Sequence, residues 1–329
     1  MIRIRTGSRL HFGLFALPSE DAEPWLNQEG EPALPRRQFG GVGLMIDKPG
    51  IELTVEDAST SSAQGPLAER ALRFAQTYCA TIGVSRSFAI RVERASPEHA
   101  GLGTGTQLGL AVAHGVANLI GPHERTLDAA VLAEGIGRGL RSAIGIHGFE
   151  RGGFLVEAGK TSKDAVSPLI FKQEFPRDWG VLLILPRALQ GTHGSGEVEA
   201  FAGLARRKRD DCATESLCRI VLLGMLPALE QSDLAAFGEA LYEFNRWSGA
   251  MFKTAQGGIY SSPRVAAIVK ELRMLGVKGV GQSSWGPTVF GIVDKGQAAE
   301  LRDHLQREED VDVIIAAPCN HGAVLSTEY

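Results

Sequence analysis

The sequence carries neither of the two commonest nucleotide-binding fingerprints. G-x-G-x-x-G fails after Gly101 and Gly103, because Thr106 stands where the third glycine is required. The nearest approach to a P-loop, Gly159-Lys160-Thr161, needs a glycine at position 154 and has Phe154 there. Cysteine is scarce. Cys79, Cys212, Cys218 and Cys319 form no C-x-x-C pair, which argues against a zinc site or a redox dithiol. Positive charge is not in excess: the formal net charge is -4. The one dense basic run, Arg206-Arg207-Lys208-Arg209, is offset at once by Asp210 and Asp211 and reads as a solvated helix face. Nucleic acid is therefore not an expected partner. No apolar run looks long enough to span a bilayer and no signal peptide is evident, so no membrane partner is expected and the location is expected to be cytoplasmic. No internal repeat is visible. What remains is a chain of 329 residues with 44% hydrophobic and 22% charged residues, enough for two domains with their own cores.

The most informative stretch is Ser96 to Gln107, S-P-E-H-A-G-L-G-T-G-T-Q. Upstream, Phe88, Ile90 and Val92 alternate as in a half-buried strand. Downstream, Leu108, Val112, Val116, Leu119 and Ile120 fall on one helical face. The order is strand, glycine-rich turn, helix. A helix start offers free N–H groups and partial positive charge, and glycines let a phosphate reach that backbone. Gly101, Gly103, Thr104, Gly105, Thr106 and Gln107 thus read as a phosphate cradle. The alternative is a tight strand-to-helix turn with no ligand.

Along the rest of the first half, Ile2 to Arg5 and Leu10 to Ala16 read as two strands broken at Thr6-Gly7-Ser8. Pro18 to Phe39 reads as a long exposed loop, the kind that often serves as a lid. Ile51, Leu53 and Val55 make a strand, and Leu67, Ala71, Phe74, Tyr78 and Ile82 a helix face. A further helix, capped by Thr126, carries Val131, Ile136 and Leu140, although Gly135, Gly137 and Gly139 weaken it. Phe154 to Glu157 reads as a strand. The polar stretch Lys160 to Arg177 separates two expected domains, 1–165 and 175–329. Beyond it come a buried-type strand at Val181 to Leu185 and helices near Thr214 to Glu230, Leu234 to Trp247 and Pro263 to Leu275. The last has Ser262 as cap, Pro263 at its first position and Gly276 after its end. Strands near Val277, Thr288 to Val293 and Val311 to Ile315 flank a helix at Gln297 to Glu308. Strict βαβ alternation is missing, which favours α+β over a doubly wound sheet. A second glycine-rich segment, Gly281-Gln282-Ser283-Ser284-Trp285-Gly286-Pro287-Thr288, joins two of these strands. It suits an ordinary turn, and equally a loop that faces a ligand.

Together these motifs resemble the GHMP kinase superfamily, whose signature is a proline, a short spacer and G-L-G-[ST]-[SGT] before a helix, here Pro97 to Thr106. Within it the chain resembles the β-ribofuranosylaminobenzene 5′-phosphate synthase family. The resemblance rests on Ser8-Arg9-Leu10-His11-Phe12-Gly13-Leu14, Phe39-Gly40-Gly41-Val42-Gly43 and His99 to Gln107. It rests also on Arg138-Gly139-Leu140-Arg141-Ser142-Ala143-Ile144-Gly145 and Ser283-Ser284-Trp285-Gly286-Pro287-Thr288. It implies an α+β, GHMP kinase-like two-domain fold with the site between the domains. It implies a pentosyltransferase that joins 5-phosphoribosyl 1-diphosphate to 4-aminobenzoate or 4-hydroxybenzoate. Diphosphate and carbon dioxide leave, a step of tetrahydromethanopterin biosynthesis and one-carbon metabolism. Magnesium is the implied cofactor, and a homodimer is compatible with it.

Under that reading the glycine loop holds the donor's diphosphate. Arg9 meets the arene carboxylate and His11 shuttles a proton; a surface ion pair and a core histidine are the plainer alternatives. Arg138, Arg141 and Ser142 take the 5′-phosphate or the leaving group, or else Arg138 and Arg141 are solvated side chains of a helix. Ser283, Ser284 and Trp285 contribute to the substrate pocket. Glu150 is a candidate base or magnesium ligand, with a structural role as its alternative. Two other functions stay open: an ATP-dependent kinase of small sugars or alcohols, and a non-catalytic ligand-binding protein on the same fold.

Overall fold

The structure, a computed structural model, describes residues 1–19, 25–26, 29–34, 36–121, 128–161, 164–189, 191, 194–206 and 211–327. The chain opens with β1 (Ile2–Ala16), a small antiparallel pair β2 (Trp25–Leu26) and β3 (Pro32–Leu34), and β4 (Phe39–Asp57). β1 is one strand where two were expected. Register shifts between Thr6 and Ser8 and between His11 and Gly13 absorb the irregular residues as bulges, so the ladder with β4 runs from Ile2 opposite Val55 to Ala16 opposite Phe39. The segment expected to be a loop, Pro18 to Phe39, holds β2 and β3. Part of it lies outside the described residues, as do the expected cap Thr126 and most of the basic run that starts at Arg206.

Next come β5 (Ser62–Gln64), α1 (Ala68–Ile82), β6 (Phe88–Arg94), α2 (Thr104–Ile120), α3 (Ala129–Gly135), α4 (Ile144–Arg151), β7 (Phe154–Glu157) and β8 (Leu169–Gln173). The helix expected through Leu140 stops at Gly135. Gly137 and Gly139 take φ of 67° and 85°, left-handed values that end a helix, so Arg138 and Arg141 sit on a loop rather than a helix. The remaining elements are β9 (Trp179–Pro186), α5 (Gly194–Ala205), α6 (Asp211–Ile220), a π turn (Val221–Met225), α7 (Leu226–Glu230), α8 (Leu234–Met251), α9 (Lys253–Gln256), α10 (Pro263–Met274), β10 (Gly279–Gln282), β11 (Val289–Asp294), α11 (Ala298–Leu305), β12 (Val311–Ala316) and β13 (Val324–Thr327). α10 starts as its residues imply, with Ser262 Oγ accepting from Val265 N at 3.1 Å. β5, α4, β8, α5, α9 and β13 have no counterpart in the sequence reading, and β8 falls inside the stretch expected to separate two domains, where it pairs with β7.

The larger sheet has the order β13-β1-β4-β6-β5, with β7 on the first half of β4 and β8 beside β7. The smaller sheet is antiparallel in the order β10-β11-β9-β12. β13 returns from beyond the smaller sheet to pair with β1, Ile2 opposite Thr327. One apolar core packs α1, α2 and α3 on the larger sheet; another packs α10 and α11 on the smaller one. A third spans both sheets. There Phe12 lies 5.0 Å from Phe290, and Phe237 packs 6.0 Å from Phe154 and 5.3 Å from Trp179. This shared core fixes the angle between the sheets.

By length and composition Asp211–Glu230 could cross a membrane, with mean hydropathy 1.5, which corrects the expectation that no such stretch exists. Its apolarity has a local cause: Leu217, Val221, Met225 and Leu229 enter the shared core, while Leu222 and Leu223 are exposed on the other side.

Candidate active site

A cleft of about 790 Å³ opens where the two halves meet. Its floor follows from strand alternation. Leu10 and Phe12 on β1 point into the shared core, so Arg9 and His11 face the cleft. The 99–106 turn borders it on one side, the 137–142 loop on another, and α5 with the 282–286 loop on a third.

The turn is built for close approach. α2 starts at Thr104 with Gly103 as its cap at φ 74°, and no side chain caps it. Thr106 N and Gln107 N donate back to Gly103 O at 3.0 and 3.1 Å, which leaves the Thr104 and Gly105 N–H groups to a ligand. A Cβ at Gly103 would lie 3.2 Å from the Arg9 side chain. A Cβ at Gly101 would lie 2.2 Å from the Ser283 carbonyl oxygen. The two glycine-rich loops are stitched together: Ser283 Oγ donates to Gly101 O at 2.7 Å and accepts from His11 N at 3.0 Å.

Cations surround this turn. Arg9 Nε is buried without a partner, and its Nη1 reaches Gly101 O at 3.4 Å. Desolvation lowers the Arg9 pKa to about 10 against the pull of Glu157 and Glu197. Arg138 stacks 5.2 Å over Phe74 with its Nε also unpartnered, and burial, reinforced by Arg70, lowers its pKa. Arg70 is paired with Glu98. Arg141 lies 4.7 Å over Phe201 and pairs with Glu197 of α5 at 2.5 Å. Two enclosed guanidinium nitrogens without acceptors, beside an uncapped helix start, make a seat for an anion.

The other end of the cleft is aromatic. Trp285 lies 4.9 Å from Phe252 and 5.5 Å from Phe201, and Phe201 lies 5.8 Å from Phe252. Edge-to-face clusters of this kind present flat apolar surface to a ring. Trp285 directly follows the two serines of the stitched loop, so the apolar end adjoins the phosphate turn.

Most residues singled out in the sequence meet here: Arg9, His11, Gly101, Gly103, Thr104, Gly105, Thr106, Arg138, Arg141, Ser142, Ser284 and Trp285 all line the cleft. Gln107 and Ser283 lie behind it as supports. Gln107 Oε1 accepts from Thr6 Oγ1 at 2.6 Å and its Nε2 donates to Gly145 O at 2.7 Å. Glu150 is not brought to the site. It sits at the end of α4 beside Arg151, and its carbonyl backs onto Gly322. Glu98 and Glu197 line the cleft, paired with Arg70 and Arg141, and a further acid that sequence reasoning missed, Glu157, lies buried behind its wall. Fully buried at the end of β7, it accepts from Ser142 Oγ at 2.6 Å and from Ala143 N at 2.7 Å. Its one local signal is a carboxylate closing an otherwise apolar strand, Phe154-Leu155-Val156-Glu157. Burial raises its pKa against those hydrogen bonds and Arg9. His11 Nε2 lies 3.1 Å from Ser142 Oγ, and burial together with Arg9 holds the His11 pKa well below the usual value. No Asp or Lys side chain lines the cleft among the described residues.

Comparison with known proteins agrees with this geometry. The family described as GHMP kinases C terminal matches residues 225–311. The chain is 31% identical to a β-ribofuranosylphenol 5′-phosphate synthase of Methanothermobacter thermautotrophicus, over 89% of this chain and 88% of that one. It is 31% identical to the protein of the same name from Archaeoglobus fulgidus, over 98% of each. Among solved structures, a mevalonate diphosphate decarboxylase from Staphylococcus aureus superposes with a TM-score of 0.65 at 14% identity, covering 99% of both chains. That likeness establishes the GHMP kinase-like α+β fold over the whole chain.

Proposed function

The chain belongs to the β-ribofuranosylphenol 5′-phosphate synthase family, and on that premise we propose that it joins 5-phosphoribosyl 1-diphosphate to 4-hydroxybenzoate with loss of diphosphate and carbon dioxide. The product is an aryl C-riboside phosphate, and the enzyme is a decarboxylating pentosyltransferase of tetrahydromethanopterin biosynthesis. The observation that carries the reading is the cleft's division into an anion seat and an aromatic seat that share one wall. A phosphorylated sugar diphosphate needs the first and a benzoate ring the second. The relatives' name, which contains a phenol, favours 4-hydroxybenzoate over 4-aminobenzoate.

The backbone of Gly103, Thr104 and Gly105, with the Thr106 hydroxyl beside it, receives the diphosphate, and Arg9 and Arg138 supply fixed positive charge. As the bond from C1 to the leaving oxygen breaks, negative charge grows on diphosphate. Donors already in place stabilise it without reorganising. Arg141, on the face of Phe201, suits the arene carboxylate once Glu197 yields its place. The Phe201, Phe252 and Trp285 cluster holds the ring and excludes water.

Magnesium fits this site as a companion of the diphosphate. Among the described residues no three His, Cys, Asp or Glu side chains group as a cage. Magnesium commonly needs only one or two carboxylates besides phosphate oxygens. Glu98, lining the cleft beside the turn, is the carboxylate placed to share it. When bound, the ion neutralises charge on the leaving group.

The test is direct. Purified protein with magnesium, the ribosyl donor and carboxyl-labelled 4-hydroxybenzoate should release labelled carbon dioxide and diphosphate without ATP. Consumption of ATP with an alcohol substrate, and no labelled gas, would replace this reading with that of a kinase.

A further inference from the structure

The site holds a buried acid that the reading above leaves without a task. Both oxygens of Glu157 are engaged, Oε1 by Ser142 Oγ and Oε2 by Ala143 N. Ser142 Oγ has a second and a third neighbour, Ile144 N at 3.3 Å and His11 Nε2 at 3.1 Å. Ile144 N can only donate. A serine hydroxyl has one proton and two lone pairs. When Glu157 is ionised, Ser142 gives its proton to Glu157 and accepts from both Ile144 N and His11 Nε2. His11 then carries its proton on Nε2, and Nδ1 is a bare acceptor with no partner among the described residues. When Glu157 is protonated on Oε1, every bond in the chain reverses. Ser142 donates to His11 Nε2, and the ring's proton must be on Nδ1. The two states differ by one proton, added at His11 and stored at Glu157.

Resting on the proposed transferase activity, we propose that Glu157 stores the proton of the arene hydroxyl, which it receives through His11 and Ser142. The hydroxyl proton goes to His11 Nδ1, the Nε2 proton to Ser142 Oγ, and the Ser142 proton to Glu157 Oε1. The electron pair left on the phenolic oxygen raises nucleophilicity at the ring carbon that bears the carboxylate. That carbon bonds to C1 of the ribose as the C1–O bond breaks, and diphosphate keeps the pair. The carbon–carboxylate bond then breaks and its pair returns to the ring, which restores a phenolate and frees carbon dioxide. The relay runs backward and reprotonates the oxygen, so no net proton is consumed.

The surroundings suit this traffic. His11 is a poor place for a cation, because burial and Arg9 both oppose its charge. In the relay the ring stays neutral throughout. Glu157 is raised by burial, so it holds a proton more readily than an exposed acid. Arg9 is the charged group facing both. The carboxylate's other neighbours are Ser142, the Ala143 N–H and Ser167.

An anilinic substrate needs no relay, since a neutral amine already offers its lone pair to the ring. Glu157→Gln is therefore the discriminating variant. Its amide N–H must face an oxygen that already takes the Ile144 N–H, and this locks His11 with its proton on Nδ1. The expected result is a fall in kcat with 4-hydroxybenzoate at least roughly a hundredfold larger than the fall with 4-aminobenzoate. KM for the ribosyl donor should be unchanged. Nitrogen NMR should show the His11 proton on Nε2 in the parent and on Nδ1 in the variant. Should the glutamine protein not fold, Ser142→Ala interrupts the same chain and should give the same substrate split. Equal losses with both arenes, or a His11 tautomer that does not change, would overturn the relay and leave the transferase reading standing. A parent protein that releases carbon dioxide from neither arene would overturn both.

Discussion

Gly105 separates binding from folding more cleanly than its neighbours. Gly101 and Gly103 have φ of 78° and 74°, so any side chain there adds strain of about 1–2 kcal/mol before a ligand is considered. Gly105 lies within the first turn of α2, and its missing Cβ would meet side-chain ends alone, Arg70 at 2.2 Å and Arg138 Nη2 at 3.4 Å. Gly105→Ala should therefore leave the fold as stable as the parent, or about 1 kcal/mol more so through helix propensity. It should weaken the ribosyl donor roughly tenfold to a hundredfold, the scale of one lost hydrogen bond to a charged group. Thermal melting and donor titration of the same preparation check both halves; unaltered donor affinity would remove the turn from the binding site. Arg138 and Arg141 show where residue-level reading stopped short. The family resemblance drew attention to them, but their place on a loop depends on Gly137 and Gly139 bending the chain, which hydrophobic spacing does not report.

Among the elements, what was legible was what is local. α1, α2 and α10 follow from apolar spacing and caps within their own residues. β1 was read as two strands because its bulges show only against β4. Glu157 was passed over because its meaning comes from Ser142, fifteen residues earlier, and from His11, 131 residues before that. One clamp between elements yields a pH test. Glu52 on β4 takes Arg5 Nε at 2.8 Å and Arg3 Nη1 at 3.0 Å from β1, and Arg94 Nη2 at 3.4 Å from β6. Its pKa is lowered, first by the Arg5 hydrogen bond. A depressed acid stabilises the fold above its unfolded pKa, near 4.5, and loses that contribution as pH falls through its folded value. Glu52→Gln should be destabilised at neutral pH, by about 0.2–1 kcal/mol per exposed pair lost. The difference from the parent should shrink below about pH 4. Denaturant melts at several pH values measure it, and a gap that stays constant with pH would refute the assignment.

At the scale of the molecule, the shared core makes the cleft a property of both halves at once. Phe237 is fully buried on α8, yet it touches Phe154 of the larger sheet, Trp179 of the smaller one and Phe175 between them. Phe237→Ala should cost about 3–5 kcal/mol. Its effect should appear in one cooperative denaturant transition, followed by tryptophan fluorescence and by circular dichroism. Two separated transitions, with only the later-numbered half affected, would show that the sheets do not share a folding unit. The α+β fold was legible, whereas the return of the chain to the first sheet was not, since nothing in Val324 to Thr327 marks it as a partner for Ile2 to Arg5.

That return bears on how the protein is made. Synthesis delivers Ile2 to Arg5 long before residues 324–327, so that edge of β1 waits while all the residues between are made. Until then the backbone donors and acceptors of Ile2 to Arg5 are an open template on the nascent polypeptide. The strand that carries Arg9 and His11 is laid down early, and its first residues gain their second neighbour only once β13 is made.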